Sequence, residues 1–358
     1  LKLDGLDTAH YGNYALSLTS NSRRIVVKTG LLGAEMRFEN GAEPSGTVRL
    51  FGAELEAAGL ARPLTDVSAR VKLSGRFLVE DASATYGTTA ASASGWIGFG
   101  TDPAMDMKIH AKSDDLRELS GFLKPLKTRS IAGAGEGIVR FTGRPSSPAY
   151  SAFLKAQNLS LDGLFLSSAA ITLKGDKRAV EIVHSGLELW KGAGWVKGVI
   201  DVEKGKLTLI GGVEGFRFAS AARLLGLADA GGTGSAQFTA GGTLDDPTFN
   251  AKFNLKNASL NGGVLETSSG NAYYRGGGLK LKADVFKAAA KAGSTEIYAD
   301  FPGKKIKGKV SVEKMPAETL SRMMKLGIEK FVGAGDVSGS FIISGGFDRP
   351  EVSGASTA

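Results

Sequence analysis

The stretch GGTLDDPTFNAKFNLKNASLNGG, Gly241 to Gly263, carries the pattern on which the fold turns. Within it Phe249, Ala251, Phe253 and Leu255 alternate with Asn250, Lys252, Asn254 and Lys256. A period of two puts the apolar set on one face of a β-strand and the amides and ammonium groups on the other. Asp246-Pro247 introduces the strand, since Asp closes turns through its own backbone and Pro presets φ.

The same shape recurs. GRPSSPAYSAFLKAQNLSLDG (Gly143 to Gly163) has its turn at Pro148, GGFDRPEVSG (Gly345 to Gly354) at Pro350, and GAEPSGTVRLFGAELEAAG (Gly41 to Gly59) at Pro44. A return roughly every 100 residues implies duplicated units. Three helical patterns keep the same interval: SDDLRELSGFL (Ser113 to Leu123), FASAARLLGL (Phe218 to Leu227) and MPAETLSRMMKLGI (Met315 to Ile328). Ser113 is expected to cap the first, with Asp114 and Asp115 at its positive end. Pro316 suits the first turn of the third, whose Leu320, Met323, Met324 and Ile328 form one apolar stripe. The expected organisation is the end of a repeat over 1–43, repeats over 44–132, 133–230 and 231–331, and the start of a truncated repeat over 332–358.

Between these markers nearly everything alternates, as in KLTLIGG, AVEIVHSGLELW, LKLKADVF and KKIKGKVSVEK, and about two dozen strands of 5–9 residues are expected. The 358 residues include 50 Gly but only 10 Pro, with no G-X-Y period, which excludes collagen and favours many turns between short strands. A hydrophobic share of 42% is enough to bury apolar surface. The net charge of +8 invites an anionic partner, but the basic residues are dispersed, and nucleic acid is not expected. With no Cys, disulfide and thiol chemistry are absent. No apolar run reaches the roughly 18–20 residues of a membrane-spanning helix. The chain starts at Leu1 without a signal peptide, so a fragment or mature segment is expected, with any anchor outside it.

Catalytic chemistry finds no foothold, and no enzyme, metal or cofactor is expected. His10, His110 and His184 are scattered, with no ligand spacing around them. Asp114-Asp115 and Asp245-Asp246 fit capping and turn formation better than acid–base work. GAGWVKG (Gly192 to Gly198) has the wrong glycine spacing for a dinucleotide loop and no helix after it. The lysines of KKIKGKVSVEK guard a strand edge or, in a sharper reading, hold anionic lipid headgroups beside tails lying on Ile306, Val310 and Val312.

The Gly-rich strand, the DDP, SSP or DRP turn and the LSLDG-type strand end together resemble the AsmA-like group, nearest to its TamB-type periplasmic members. The likeness covers most of the chain, best from about Gly133 onward. It implies a mostly β fold: an elongated, repetitive sheet curled into a taco-like groove, with one short helix per repeat. It implies phospholipid transport between the inner and outer membranes of a diderm bacterium, a periplasmic location with an inner-membrane anchor outside this chain, and membrane-protein partners. An alternative role is assembly of outer-membrane proteins. A ligand-free β-repeat spacer or adhesin is the competing class.

On the groove reading the apolar floor comprises Val139, Phe141, Ala152, Leu154, Ile171 and Leu173. It continues through Leu207, Leu209, Phe249, Ala251, Phe253 and Leu255, and then Leu279, Leu281, Ile306, Val310 and Val312.

Overall fold

The computed structural model describes residues 2–7, 25–37, 45–57, 60–100, 102–119, 130–161, 164–223, 229–287, 290–324, 335–346 and 349–357. About 80% of them are in strands, and helices are few. The chain divides into two compact units, Leu1–Val183 and His184–Ala358.

In the first unit β1 (Lys2–Asp7), β2 (Ile25–Arg37), β3 (Ser45–Ala57), β4 (Leu64–Leu73) and β5 (Arg76–Tyr86) are followed by β6 (Thr89–Gly98), β7 (Met105–Ser113), β8 (Ile131–Arg144), β9 (Ser147–Leu161) and β10 (Leu164–Gly175). Each pairs antiparallel with the next. A 3-10 turn, Leu116–Leu119, follows β7. β11 (Ala179–Leu189) crosses the division between the units.

The second unit contains β12 (Gly192–Asp201), β13 (Lys206–Arg217), helix α1 (Phe218–Arg223), β14 (Ala230–Gly242), β15 (Pro247–Leu260) and β16 (Gly263–Arg275). It continues with β17 (Gly278–Lys287), β18 (Ala290–Asp300), β19 (Lys305–Pro316), helix α2 (Ala317–Met324), β20 (Asp336–Gly346) and β21 (Pro350–Thr357). β12 to β21 again pair strictly in sequence order. Among the described residues β1 pairs only with β2 and β21 only with β20, so neither meander closes into a barrel.

The strands are longer than the sequence suggests, up to 15 residues in β9, and number 21 among the described residues. Many glycines lie inside strands rather than in turns: GAGEG is part of β8 and GGTGS the start of β14. Two of them recur as a device. Gly133 (φ +123°) opposes Asn158 (φ +51°) at the bulge between β8 and β9, and Gly232 (φ +105°) opposes Asn257 (φ +50°) at the bulge between β14 and β15. A Cβ on Gly133 would lie 2.7 Å from the Asn158 carbonyl oxygen, and one on Gly232 2.6 Å from that of Asn257. Asn tolerates the left-handed conformation, Gly leaves room for it, and the strand runs on past the kink.

Ser113 does not cap a helix. It ends β7, buried, where its hydroxyl oxygen accepts a hydrogen bond from Thr89 Oγ1 at 2.8 Å. The cap is Asp115, whose Oδ1 accepts the Arg117 amide at 3.0 Å. Residues 120–123, 224–227 and 325–328 of the expected helices lie outside the described residues, as do most of 1–43 and His10. Glu118 ties the 3-10 turn to the sheet. Its Oε2 accepts the Thr88 amide at 2.6 Å and the Thr88 hydroxyl at 3.0 Å, and its Oε1 accepts Arg62 Nη1 at 2.8 Å.

The buried apolar clusters of the second unit gather at its helices. Val213, Phe216, Leu255 and Ala258 pack with Phe218 and Ala221, while Val312, Met315 and Leu320 pack with Met323. In the first unit Val27, Ala53 and Val67 form a smaller cluster. Among the described residues the largest side chain wholly out of water is Ser321, so no large apolar side chain is completely enclosed.

Two outcomes follow. Leu255 is 7% exposed and Phe249, on the same face of the same strand, 38%; Leu255→Ala should cost about 2–5 kcal/mol and Phe249→Ala less than half of that, read from urea midpoints. The Thr88 amide, then its hydroxyl and Arg62, hold the Glu118 carboxyl below its ordinary range. A depressed folded-state value stabilises above the unfolded value and fades as pH falls through the folded one. Wild type should therefore exceed Glu118→Gln in urea midpoint at neutral pH, and the gap should close in acid below the usual carboxylate range.

Candidate functional site

Residues directly opposite one another in antiparallel strands share a face, so the register maps each face. In the first unit Val139 opposes Ala152, which opposes Leu173. Phe141 opposes Tyr150, and Leu154 stands between Gly137 and Ile171. The six residues expected here thus lie on one face of β8, β9 and β10, with Met107 and Ile109 of β7 continuing it.

The second unit repeats this over ten strands. One row runs from Leu209 through Ala240, Phe249, Tyr274, Leu279 and Ala299 to Ile306. The next passes from Phe238 through Ala251, Ala272, Leu281 and Ile297 to Gly308. A third passes from Phe253 through Gly270, Ala283 and Thr295 to Val310 and Phe341. Leu255 and Val312 lie in a fourth, toward the helices, and Leu207 shares the Leu209 side of β13. All eleven residues expected in this unit occupy one face. From β12 to β21 no Asp, Glu, Lys or Arg interrupts these rows.

Phe238, Ala272, Ile297, Phe341 and Ile343 belong to the same face and were missed. Their strands alternate too, as in AQFTA, but glycines on the apolar positions blur the period. Those glycines are spatially matched. Phe253 opposes Gly270, where a Cβ would lie 2.8 Å from its ring. Leu154 opposes Gly137, Phe341 opposes Gly354, and Phe238 opposes Gly211, with similar or closer approaches. Each large side chain leans across the bare backbone of its partner, which keeps the face low.

Burial varies along the face, and the clustered buried side chains lie next to the helices. Leu255 and Val312 are buried, Val310, Phe253 and Leu281 half-buried, and Phe249 exposed. Leu207 and Ala152 are buried, Leu154 is exposed, and the remaining expected residues are half-buried. Two polar side chains sit in the rows without charge: Ser268, buried, and Thr295, whose enclosed Oγ1 has no hydrogen-bond partner.

The lysines do not stand beside this floor. Lys307 and Lys309 project from the other face of β19, Lys307 lying over the Tyr298 ring at 5.3 Å. They cannot hold headgroups of lipids whose tails rest on Ile306 and Val310, because strand alternation puts the sheet between them. Lys252 likewise opposes Gln237 and Asn271.

Other motifs resolve into local structure. GAGWVKG is strand β12, followed directly by β13. Asp246 closes a turn, its amide donating to Thr243 Oγ1 at 3.0 Å. His110 Nε2 lies 3.3 Å from Glu136 Oε1, both exposed. Among the described residues no group of acidic or His side chains is arranged to hold a metal ion, and no helix is long and apolar enough to cross a membrane. Comparison of the chain with protein-family models, curated proteins and solved structures finds no match.

Thr295→Val would replace an unpaired hydroxyl by a methyl of similar shape, and should raise unfolding stability by about 1 kcal/mol in urea titration.

Proposed function

We propose that the chain is a non-enzymatic lipid carrier whose charge-free sheet face lines a groove for phospholipid acyl chains. The observation that carries this is the run of apolar rows across ten strands of the second unit, matched over β7 to β10 of the first, with no ionised side chain and no large side chain completely enclosed. Away from the buried clusters at the helices the apolar floor is half-exposed, and acyl chains suit it: each CH₂ moved from water contributes roughly 0.8 kcal/mol. The floor changes little from strand to strand, so a lipid would meet near-equal sites and move without a large barrier between them. The helical segments after β7, β13 and β19, six strands apart, support duplicated units that lengthen such a path. The resemblance to TamB-type proteins points the same way, toward transport across the periplasm from an inner-membrane anchor, with membrane proteins at the ends.

The test is lipid mass spectrometry on the full chain, purified from a diderm host by gel filtration without detergent. Several phospholipids per chain are expected, and their loss in a Phe253→Asp, Val310→Lys double variant that keeps its β-type circular dichroism, since a charge set against acyl chains carries a desolvation penalty. A monodisperse, folded protein free of lipid would favour the spacer or adhesin. Peptides copying outer-membrane strands that bind equally well to the double variant would favour an assembly role through strand addition.

A further inference from the structure

The opposite face of the second unit has its own character. Two rows cross it. One comprises Lys197, Ile210, Thr239, Asn250, Tyr273 and Lys280, continuing to Tyr298 and Lys307. Beside it run Trp195, Gly212, Gln237, Lys252, Asn271 and Lys282, continuing to Glu296 and Lys309. Between Trp195 at one end and Lys280 and Lys282 at the other, the surface sinks into an open concavity of about 850 Å³.

Gly212 lies against the Trp195 indole at one end of it. A Cβ there would lie 3.1 Å from Trp195 Nε1, so its absence lets the indole settle against the sheet. Trp195 nevertheless stays 38% exposed and Tyr273 39%. The two rings stand four strands apart, roughly 19 Å at about 4.8 Å per strand. Gln237, Asn250 and Asn271 fill the interval with side chains that both donate and accept hydrogen bonds. Within these two rows Lys197, Lys252, Lys280, Lys282, Lys307 and Lys309 face one carboxylate, Glu296, which Lys280 and Lys282 already engage at 2.8 and 3.1 Å, while Glu214, Asp284 and Asp300 stand in the flanking rows of the same face. Lys252 stands in the concavity among the amides.

We propose that this face binds a linear acidic polysaccharide, a chain of hexose units bearing carboxylates. Exposed rings take the apolar faces of sugar rings, amides satisfy vicinal hydroxyls, and the lysines match the carboxylates. Single-stranded nucleic acid fits less well: stacking successive bases calls for adjacent rings, whereas these are four strands apart. The inference is independent of the lipid reading, because the two faces share no side chain.

The experiment is titration of the full chain with polygalacturonate at fixed ionic strength, followed by tryptophan fluorescence and calorimetry. Dextran, inorganic polyphosphate, oligothymidylate and phosphatidylglycerol vesicles serve as comparison probes. Saturable binding of polygalacturonate with a change in indole emission is expected, together with much weaker binding of uncharged dextran. A Trp195→Ala, Tyr273→Ala variant and a Lys252→Gln, Lys282→Gln variant should each lose about tenfold or more in affinity while keeping the wild-type urea midpoint. Val310→Lys, on the other face, should bind as wild type does. No binding would overturn the proposal. So would polyphosphate binding as tightly with the aromatic variant unaffected, which would mean diffuse charge attraction, or tighter binding of oligothymidylate or vesicles.

Discussion

Everything distinctive about this protein depends on a steric pairing: a large apolar side chain opposite a glycine on the neighbouring strand. Phe253 over Gly270, Phe341 over Gly354 and Leu154 over Gly137 lie down instead of standing up. In an ordinary two-layer fold, upright side chains interdigitate with a second sheet or with helices. Here each sheet face covers its own backbone with its own side chains. In the second unit the buried clusters lie at the helix-bearing end, and most of the rest of the face is half-covered.

The second constraint is alternation without error. Because a one-residue slip would exchange the faces of a strand, keeping all charge off one side of ten successive strands requires the register to hold throughout. The register shifts between Val213 and Phe216, Gly231 and Thr233, Val285 and Phe286, and Val312 and Met315 are where irregularity is absorbed without spoiling it. The outcome is a sheet with two chemistries back to back, apolar on one side and rich in lysines and amides on the other. Each strand contributes to both, so the two surfaces cannot vary independently in length.

The β character, the alternation and the membership of one face were legible from short stretches such as FNAKFNL and KIKGKVSV, since period two assigns faces without three-dimensional information. Strand ends were not. Glycine reads as a turn signal, but in GAGEG and GGTGS its missing side chain serves a neighbour across the sheet, and that neighbour is distant in sequence. Ser113 failed as a cap for a related reason: its hydroxyl pairs with Thr89, two strand-ends away, before any helix begins. The lysines of β19 adjoin Ile306 and Val310 in sequence, and in a strand that adjacency means the opposite side of the sheet. The Trp195–Tyr273 surface left no local signal at all, since its members come one or two per strand from β12 to β17.

The strictly sequential pairing carries a consequence for how such a chain can change size. Within each unit a strand pairs only with its immediate predecessor and successor, so excising or duplicating a hairpin removes or adds two strands, restores chain direction, and leaves the remaining backbone pairings in place, provided that the hairpin is not one on which a helix packs, as α2 does through Met323 and Asn261 between β15 and β16. Both faces then shorten or lengthen by about 10 Å at unchanged chemistry. The architecture is a ruler graduated in hairpins, and its span can be reset by recombination wherever no helix packs across the exchanged strands.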